Sequence, residues 1–444
     1  MDLLWALPLA LLALWLVAEA VTRAVLEFPL RVDFYGSVSR DAVRSWQALH
    51  GVKVAAGPGW LHLGWIADPE REAYRIERRT GEVWQNVGRT RYGSCLVRGA
   101  GDAFRVWARP KAGGGDERLI GEASAEAAPG GAAPPPLQRP EIAGGWRPLF
   151  RPSRHGRYVN DHDVYRDSAG RWRLIGITSR TDGDFGAERY FGVGVSETFP
   201  PDVEMREEAP VADFGELAWA PEVVEPNAAG EGYALFWSPH RLSRMDSADG
   251  IHWGNPRVVM SAPFHRFFRD PAVVEVADGQ WLLYATARGR YFSRIDTYQS
   301  FDLERWQYIG AALDSSWGSE RNSPFASMES PVVLNRAGRY YLSFTYNNGS
   351  CFWPGLLLLL HVWPGRESYE ETLVVHADNP YRFGTYRGRD RTPNLVARLR
   401  THAPAYIHDP ESDAWFITTA GWPWAATLTA GEVAVAPLRW APIA

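Results

Sequence analysis

The sequence predicts an all-β protein ending in a five-bladed β-propeller, and three observations predict it. First, one pattern recurs five times after residue 155: a polar triplet, usually closed by Pro, leads an alternating or apolar strand, a turn and a second strand led by an aromatic. The triplets are Asn160-Asp161-His162, Trp219-Ala220-Pro221, Arg269-Asp270-Pro271, Glu329-Ser330-Pro331 and His402-Ala403-Pro404. They lie 59, 50, 60 and 73 residues apart, the length of a four-stranded blade with insertions. Second, the stretches Ser247 to Trp253 and Ser300 to Trp306 each place a Ser-x-Asp turn four residues before a Trp, which suits the outer half of a blade. Third, residues 45–125 carry shorter alternating runs bounded by Gly, Pro, Asp or Asn, the pattern of a separate β-sandwich.

In chain order, residues 1–27 come first. Leu3 to Ala18 is an unbroken apolar run, and as a helix its 16 residues reach about 24 Å, short of a bilayer core of roughly 30 Å. Extension to Val25, with Arg23 snorkelling outward, gives an N-terminal transmembrane helix that anchors the chain in the membrane. A cleaved signal sequence is the alternative, although the Met-Asp start has no basic n-region.

Residues 45–125 include the runs Trp60 to Trp65, Tyr74 to Arg78 and Phe104 to Ala108. With Trp on an early strand, a Tyr-led strand next and the Phe-Arg-Val-Trp strand late, this order resembles a fibronectin type III module. The resemblance implies an N-terminal fibronectin III-like β-sandwich that either binds carbohydrate or another partner, or acts as a spacer. Residues 126–145, rich in Pro, Gly and Ala, are expected to form a semi-stiff linker, leaving 146–444 for the propeller.

Charge and cysteine content narrow the function. With 47 basic and 52 acidic residues, there is no basic stripe for a phosphate backbone, so no nucleic acid partner is expected. Cys95 and Cys351 fall in different predicted domains, and no CxxC, HExxH or Cys/His cluster marks a metal site.

A Pro at the head of an inner strand loses no ladder donor, and its recurrence fixes the register. The triplets therefore deliver one ring of side chains to a common axis: Asn160 and Asp161, Trp219 with Glu222, Arg269 and Asp270, Glu329, and His402. This ring resembles the five-bladed propellers of glycoside hydrolase families 32, 43 and 68. Arg269-Asp270-Pro271 is similar to the family "RDP" element, Glu329-Ser330-Pro331 to the acid-bearing "ECP" or "EGP" element, and Trp219-Ala220-Pro221-Glu222 to "WAPE". Asn160-Asp161 is similar to the opening "NDP", with His162 in place of Pro and Asp163 as the alternative acid.

The resemblance implies catalytic roles for Asp161 (nucleophile or water-activating base), Glu329 (general acid) and Asp270 (stabiliser of developing charge). Asn160, Trp219, Glu222, Arg269 and His402 would bind substrate. The implied substrate is an oligo- or polysaccharide of furanosidic or related sugars, with specificity in loops such as Arg180 to Arg189. No cofactor is required, and a structural cation in the propeller channel is allowed. Carboxyl separations of about 5 Å or roughly 6.5–9.5 Å would distinguish retention from inversion. A sugar-polymer enzyme is expected at the cell exterior or periplasm, whereas Arg23 and Arg31 favour a cytoplasmic body. The alternative function is a membrane-tethered, non-catalytic carbohydrate-binding propeller.

Overall fold

The computed structural model describes residues 39–57, 60–68, 72–98, 103–111, 115–124, 136–181, 185–226, 232–261, 268–288, 293–316, 327–336, 338–347, 369–423 and 428–443. The apolar run within residues 1–27 and the first half of the predicted linker, 126–135, lie outside these residues. Among the described residues no helix is long and apolar enough to cross a membrane.

A helix, Arg40–His50, comes first among the described residues, where the sequence pattern suggested none. Ser39 caps it, its Oγ accepting from Ala42 N at 3.2 Å, and Gly51 ends it at φ +58°. Its buried face, through Val43 and Trp46, packs on Ile66 and Phe301.

A seven-stranded sandwich follows. One sheet has the order Val52–Gly57, Trp60–Trp65, Ser94–Arg98; the other has the order Val83–Thr90, Glu72–Thr80, Ala103–Pro110, Arg118–Ser124. Alternation explains both of its faces. In Trp60–Trp65, Leu61, Leu63 and Trp65 join Tyr74, Ile76, Phe104 and Val106 in the sandwich core. The intervening residues turn to the propeller: Trp60 lies edge-on to Tyr381 at 5.8 Å, and His62 stacks on Tyr381 at 3.6 Å. At Gly64 a Cβ would stand 2.9 Å from Gln280 Nε2, so glycine lets the two surfaces approach closely without shifting that side chain. Gln299 and Gln307 of the propeller complete the joint by donating to Gly93 O at 2.7 Å and Trp65 O at 2.5 Å. The sandwich is thus docked along the side of the propeller.

Five antiparallel sheets make up the rest. Blade 1 is His162–Arg166, Trp172–Thr178, Tyr190–Ser196, Arg206–Val211; blade 2 is Trp219–Val224, Tyr233–Ser238, Arg241–Ser247, Gly254–Ser261. Blade 3 is Arg269–Ala277, Gln280–Arg288, Ser293–Ser300, Gln307–Ser315, with Gly384–Tyr386 added in parallel at its rim. Blade 4 is Ser327–Arg336, Arg339–Asn347, Thr372–Ala377, Leu395–Leu399. Blade 5 is Tyr406–Asp409, Ala414–Thr419 and Val433–Pro442, completed by Gln138–Ile142. The segment 138–142, read from sequence as the end of the linker, is therefore the strand that closes the ring. Its Pro140 sits opposite Trp440 on an outer strand, where a missing N–H costs little.

The hydrophobic clusters show why the ring is closed. Ile175 and Phe191 of blade 1 pack with Leu235 of blade 2, Phe236 of blade 2 with Leu283 of blade 3, and Leu282 of blade 3 with Leu342 of blade 4. Tyr341 of blade 4 then packs with Ile417 of blade 5, and Ile407 of blade 5 with Leu174 of blade 1. Each blade is too thin to bury its own two faces, so each seam is a core.

The triplets share a backbone device. Their middle residues Ala220, Asp270, Ser330 and Ala403 have φ of 49°, 57°, 47° and 43°, a left-handed conformation unfavourable for a residue with a Cβ. In blades 2 to 4 a register shift follows the first triplet residue, so the strand carries a bulge that re-aims the side chains around it. Blade 1 differs because His162 replaces Pro. Its imidazole bridges Asn160 O at 3.1 Å and Thr418 Oγ1 at 2.8 Å, tying blade 1 to blade 5.

Candidate functional site

The first strand of each blade leads away from its triplet and the second returns. Triplets and the loops after second strands therefore meet at one end of the ring. There Asp161 of blade 1, which is partly exposed, accepts from Asn160 Nδ2 at 2.6 Å and from Ser330 Oγ of blade 4. The Ser330 N–H donates to Asp270 Oδ2 of blade 3 at 3.1 Å, and Thr286 Oγ1 donates to the same oxygen at 2.8 Å. Arg269 places Nε 3.4 Å from that oxygen and pairs through Nη2 with Glu329 Oε1. Glu329 also accepts from Ser327 Oγ, from Asn347 Nδ2 at 3.0 Å and from Tyr369 OH at 2.6 Å. Three carboxyls from three blades therefore share one network through Ser330 and Arg269.

Their charge states differ. Burial pushes Asp161 up to about 6, opposed by the Ser330 hydrogen bond and reinforced by Glu329. Asp270 is pushed up to about 7 by burial against the pull of Arg269. Burial also acts on Glu329, but Arg269 and the donors Ser327, Tyr369 and Asn347 outweigh it and hold the carboxyl below the ordinary glutamate value. This order runs opposite to the division of roles that the resemblance implies, in which Glu329 carries the proton.

Around the network stands an aromatic wall. Tyr369 packs on His402 at 4.6 Å and on Trp422 at 5.5 Å. His402 contacts Ala420 O at 3.0 Å through Nδ1, and burial lowers its pKa to about 4, so it lines the wall as a neutral imidazole. Trp219 is half-buried, and its indole N–H has no hydrogen-bond partner.

Glu222 does not join this network. Its Oε1 accepts from Val273 N of blade 3 at 2.9 Å, as Asp163 Oδ2 accepts from Val223 N of blade 2 at 2.8 Å. Both acids follow their triplets directly and fill the seam to the next blade. Asp163, the alternative to Asp161, is thereby occupied with backbone.

Sequence reasoning missed Ser330, although it lies inside a triplet, because a small hydroxyl between Glu329 and Pro331 carries no signal of its own. It also missed Asn347, at the end of the second strand of blade 4, and Tyr369, Trp422 and Glu188, which lie outside the repeat; Glu188 Oε1 accepts from Tyr158 OH at 2.6 Å and from Trp422 Nε1 at 2.9 Å. Among the described residues no group of three or more His, Cys, Asp or Glu side chains is arranged to hold a metal ion.

No protein-family model and no curated protein matches the chain. Among solved structures it is similar to a thermostable family-43 glycoside hydrolase, at 18% identity and a TM-score of 0.44 over 63% of this chain and 88% of that one. It is also similar to the fructofuranosidase from Schwanniomyces occidentalis complexed with fructose, at 15% identity and a TM-score of 0.47 over 67% and 63% of the two chains. A third is the α-L-arabinofuranosidase from Podospora anserina in complex with cellotriose, at 13% identity and a TM-score of 0.45 over 66% and 95%. At these identities and TM-scores the likeness assigns neither an activity nor residue roles.

Proposed function

We propose that the protein is a glycoside hydrolase acting on furanosidic or related sugars at the Asp161, Asp270 and Glu329 network. The observation that carries this reading is the convergence of three carboxyls from three blades on one aromatic-walled end of the ring. Cleavage of a glycosidic bond needs one carboxyl that holds a proton and one that does not. Asp161, the most open of the three, attacks the anomeric carbon or activates the water that does, and Asp270 faces the developing charge. Release of reducing sugar from fructans, arabinans and xylans tests this. Asp161→Asn is expected to lose about 100-fold or more against wild type, and equal activity in the two would contradict the reading.

A second reading has its own support. The Arg269 pair ties up Glu329, as suits a propeller that retains glycans without turning them over. In that case an array would show binding, lost on Trp219→Ala, with no product.

The front sandwich fits a fibronectin type III-like module by its three-plus-four strand order. The apolar run at 1–27 would tether both units to a membrane, with the sugar site facing the exterior or periplasm.

A further inference from the structure

The middle residue of a triplet takes a left-handed backbone, and blades 2 and 5 meet that demand with Ala220 and Ala403. The backbone device itself therefore calls for no polar side chain. In blade 4 the position is Ser330, half-buried at the pocket end, with φ of 47°. The register of its strand skips from Glu329 to Val332, so the bulge leaves the Ser330 N–H free of the ladder. Its two donors go to two different acids. The hydroxyl donates to Asp161 Oδ1 of blade 1, and the N–H donates to Asp270 Oδ2 of blade 3 at 3.1 Å. One residue of blade 4 thus ties together acids of two blades that are not neighbours in the ring.

Each acid is also gripped from its own blade. Asn160 Nδ2 holds Asp161 at the other oxygen, Oδ2, at 2.6 Å. Thr286 Oγ1 donates to the Asp270 oxygen that the Ser330 N–H meets, at 2.8 Å. A carboxylate with a donor on each oxygen cannot turn about its Cβ–Cγ bond without losing one, so its remaining lone pairs keep a fixed direction. For Asp161 the donor from the far side of the pocket is the Ser330 hydroxyl.

We propose that Ser330 is a positioning residue of the pocket, its hydroxyl fixing the Asp161 carboxylate and its N–H holding Asp270 at a set distance from it. The inference rests on the glycosidase reading above. There Asp161 must present a lone pair to the anomeric carbon, or to the water that attacks it, while Asp270 faces the charge that develops, and both demands are geometric. A hydroxyl donor also favours the ionised form of the carboxyl that it meets, and at Asp161 it opposes burial. Glu329 raises and Arg269 lowers the same carboxyl, and Asp270 and Glu188 are the other acids whose charge it feels. All four remain when the hydroxyl is removed.

Two substitutions test the role. Ser330→Ala removes the hydroxyl, keeps the N–H and installs the side chain that blades 2 and 5 carry at the same φ. Ser330→Gly removes the hydroxyl together with the Cβ that a left-handed backbone disfavours. On arabino- or xylo-oligosaccharides both are expected to lose about tenfold in kcat/KM. Without its donor Asp161 ionises at higher pH, so the acid limb of the pH profile is expected to move up by about one pH unit in both. An unmoved limb in both overturns the proposal, and so does a shift in Ser330→Gly that is absent from Ser330→Ala, which would trace the effect to the backbone. Carboxyl 13C signals of labelled aspartate, assigned by Asp161→Asn and Asp270→Asn, follow the same bonds without turnover. In Ser330→Ala the Asp161 midpoint is expected to rise, while that of Asp270, whose N–H donor remains, moves less. Equal movement of the two, or none at Asp161, overturns the proposal. If wild type turns over no glycan while the Asp161 midpoint moves as stated, the glycosidase reading has failed and Ser330 still positions the two acids.

Discussion

Asp161 and Asp163 stand two residues apart on blade 1, and alternation would put them on one face, yet their surroundings have little in common. Asp161 is held by side chains, one of them reaching across the ring from Ser330. Asp163 is held by backbone, accepting from Val164 N at 2.7 Å and from Val223 N of the next blade at 2.8 Å. Glu329 and Glu222 repeat the contrast, the first within a web of side-chain donors and the second on Val273 N. The cause is topological. The innermost strand of every blade is a sheet edge, and its inward N–H groups need acceptors that no neighbouring strand supplies. An acid just past the triplet meets such an N–H on the next blade and becomes part of the seam. An acid within the triplet stands above that level, where side chains, the backbone of a neighbouring triplet and a ligand can reach it.

Exchanging the two aspartates sharpens this difference most. Asp161→Asn should abolish turnover on the glycan panel, whereas Asp163→Asn should keep it within about threefold, because amide and carboxylate can both accept from Val223 N. Loss of turnover in Asp163→Asn at unchanged melting temperature would break the comparison. Smaller effects are expected at Glu222 and concern stability. Glu222→Ala strands the Val273 N–H and should cost about 1–3 kcal/mol in denaturant unfolding. Glu222→Gln keeps the acceptor and removes the titration. Burial, with Asp163 nearby, raises the Glu222 pKa well above the ordinary value. The folded state then holds a proton that the unfolded chain has released. This contribution is fully present below the unfolded pKa and is lost as pH rises towards the folded one. Wild-type stability should therefore fall more steeply with rising pH than that of Glu222→Gln, and parallel curves would contradict the buried position.

How far the sequence disclosed this arrangement follows from the same contrast. The triplets were legible because Pro and a left-handed middle residue recur wherever a bulge opens an inner strand, as at Asp270 and Ser330. Their convergence could be inferred from the repeat alone. Glu222 was misjudged because strand position was read without depth, and in a propeller a single residue separates pocket from seam. The closing strand at 138–142 looked like linker because its Pro140 is tolerated only on an outer edge, which sequence does not reveal. Glu188 and Tyr369 belong to loops whose course depends on the packing of three blades, and no local pattern marks them. The sandwich was recognisable by alternation, but its docking was not, although Trp60–Trp65 is apolar or small on both faces apart from His62.

A crystal structure of Asp161→Asn with a bound arabino- or xylo-oligosaccharide tests the central claim most directly. The account predicts one sugar ring within hydrogen-bonding reach of positions 161 and 270. A sugar seated elsewhere on the ring, or one contacting Asp163 or Glu222 in place of Asp270, would contradict it.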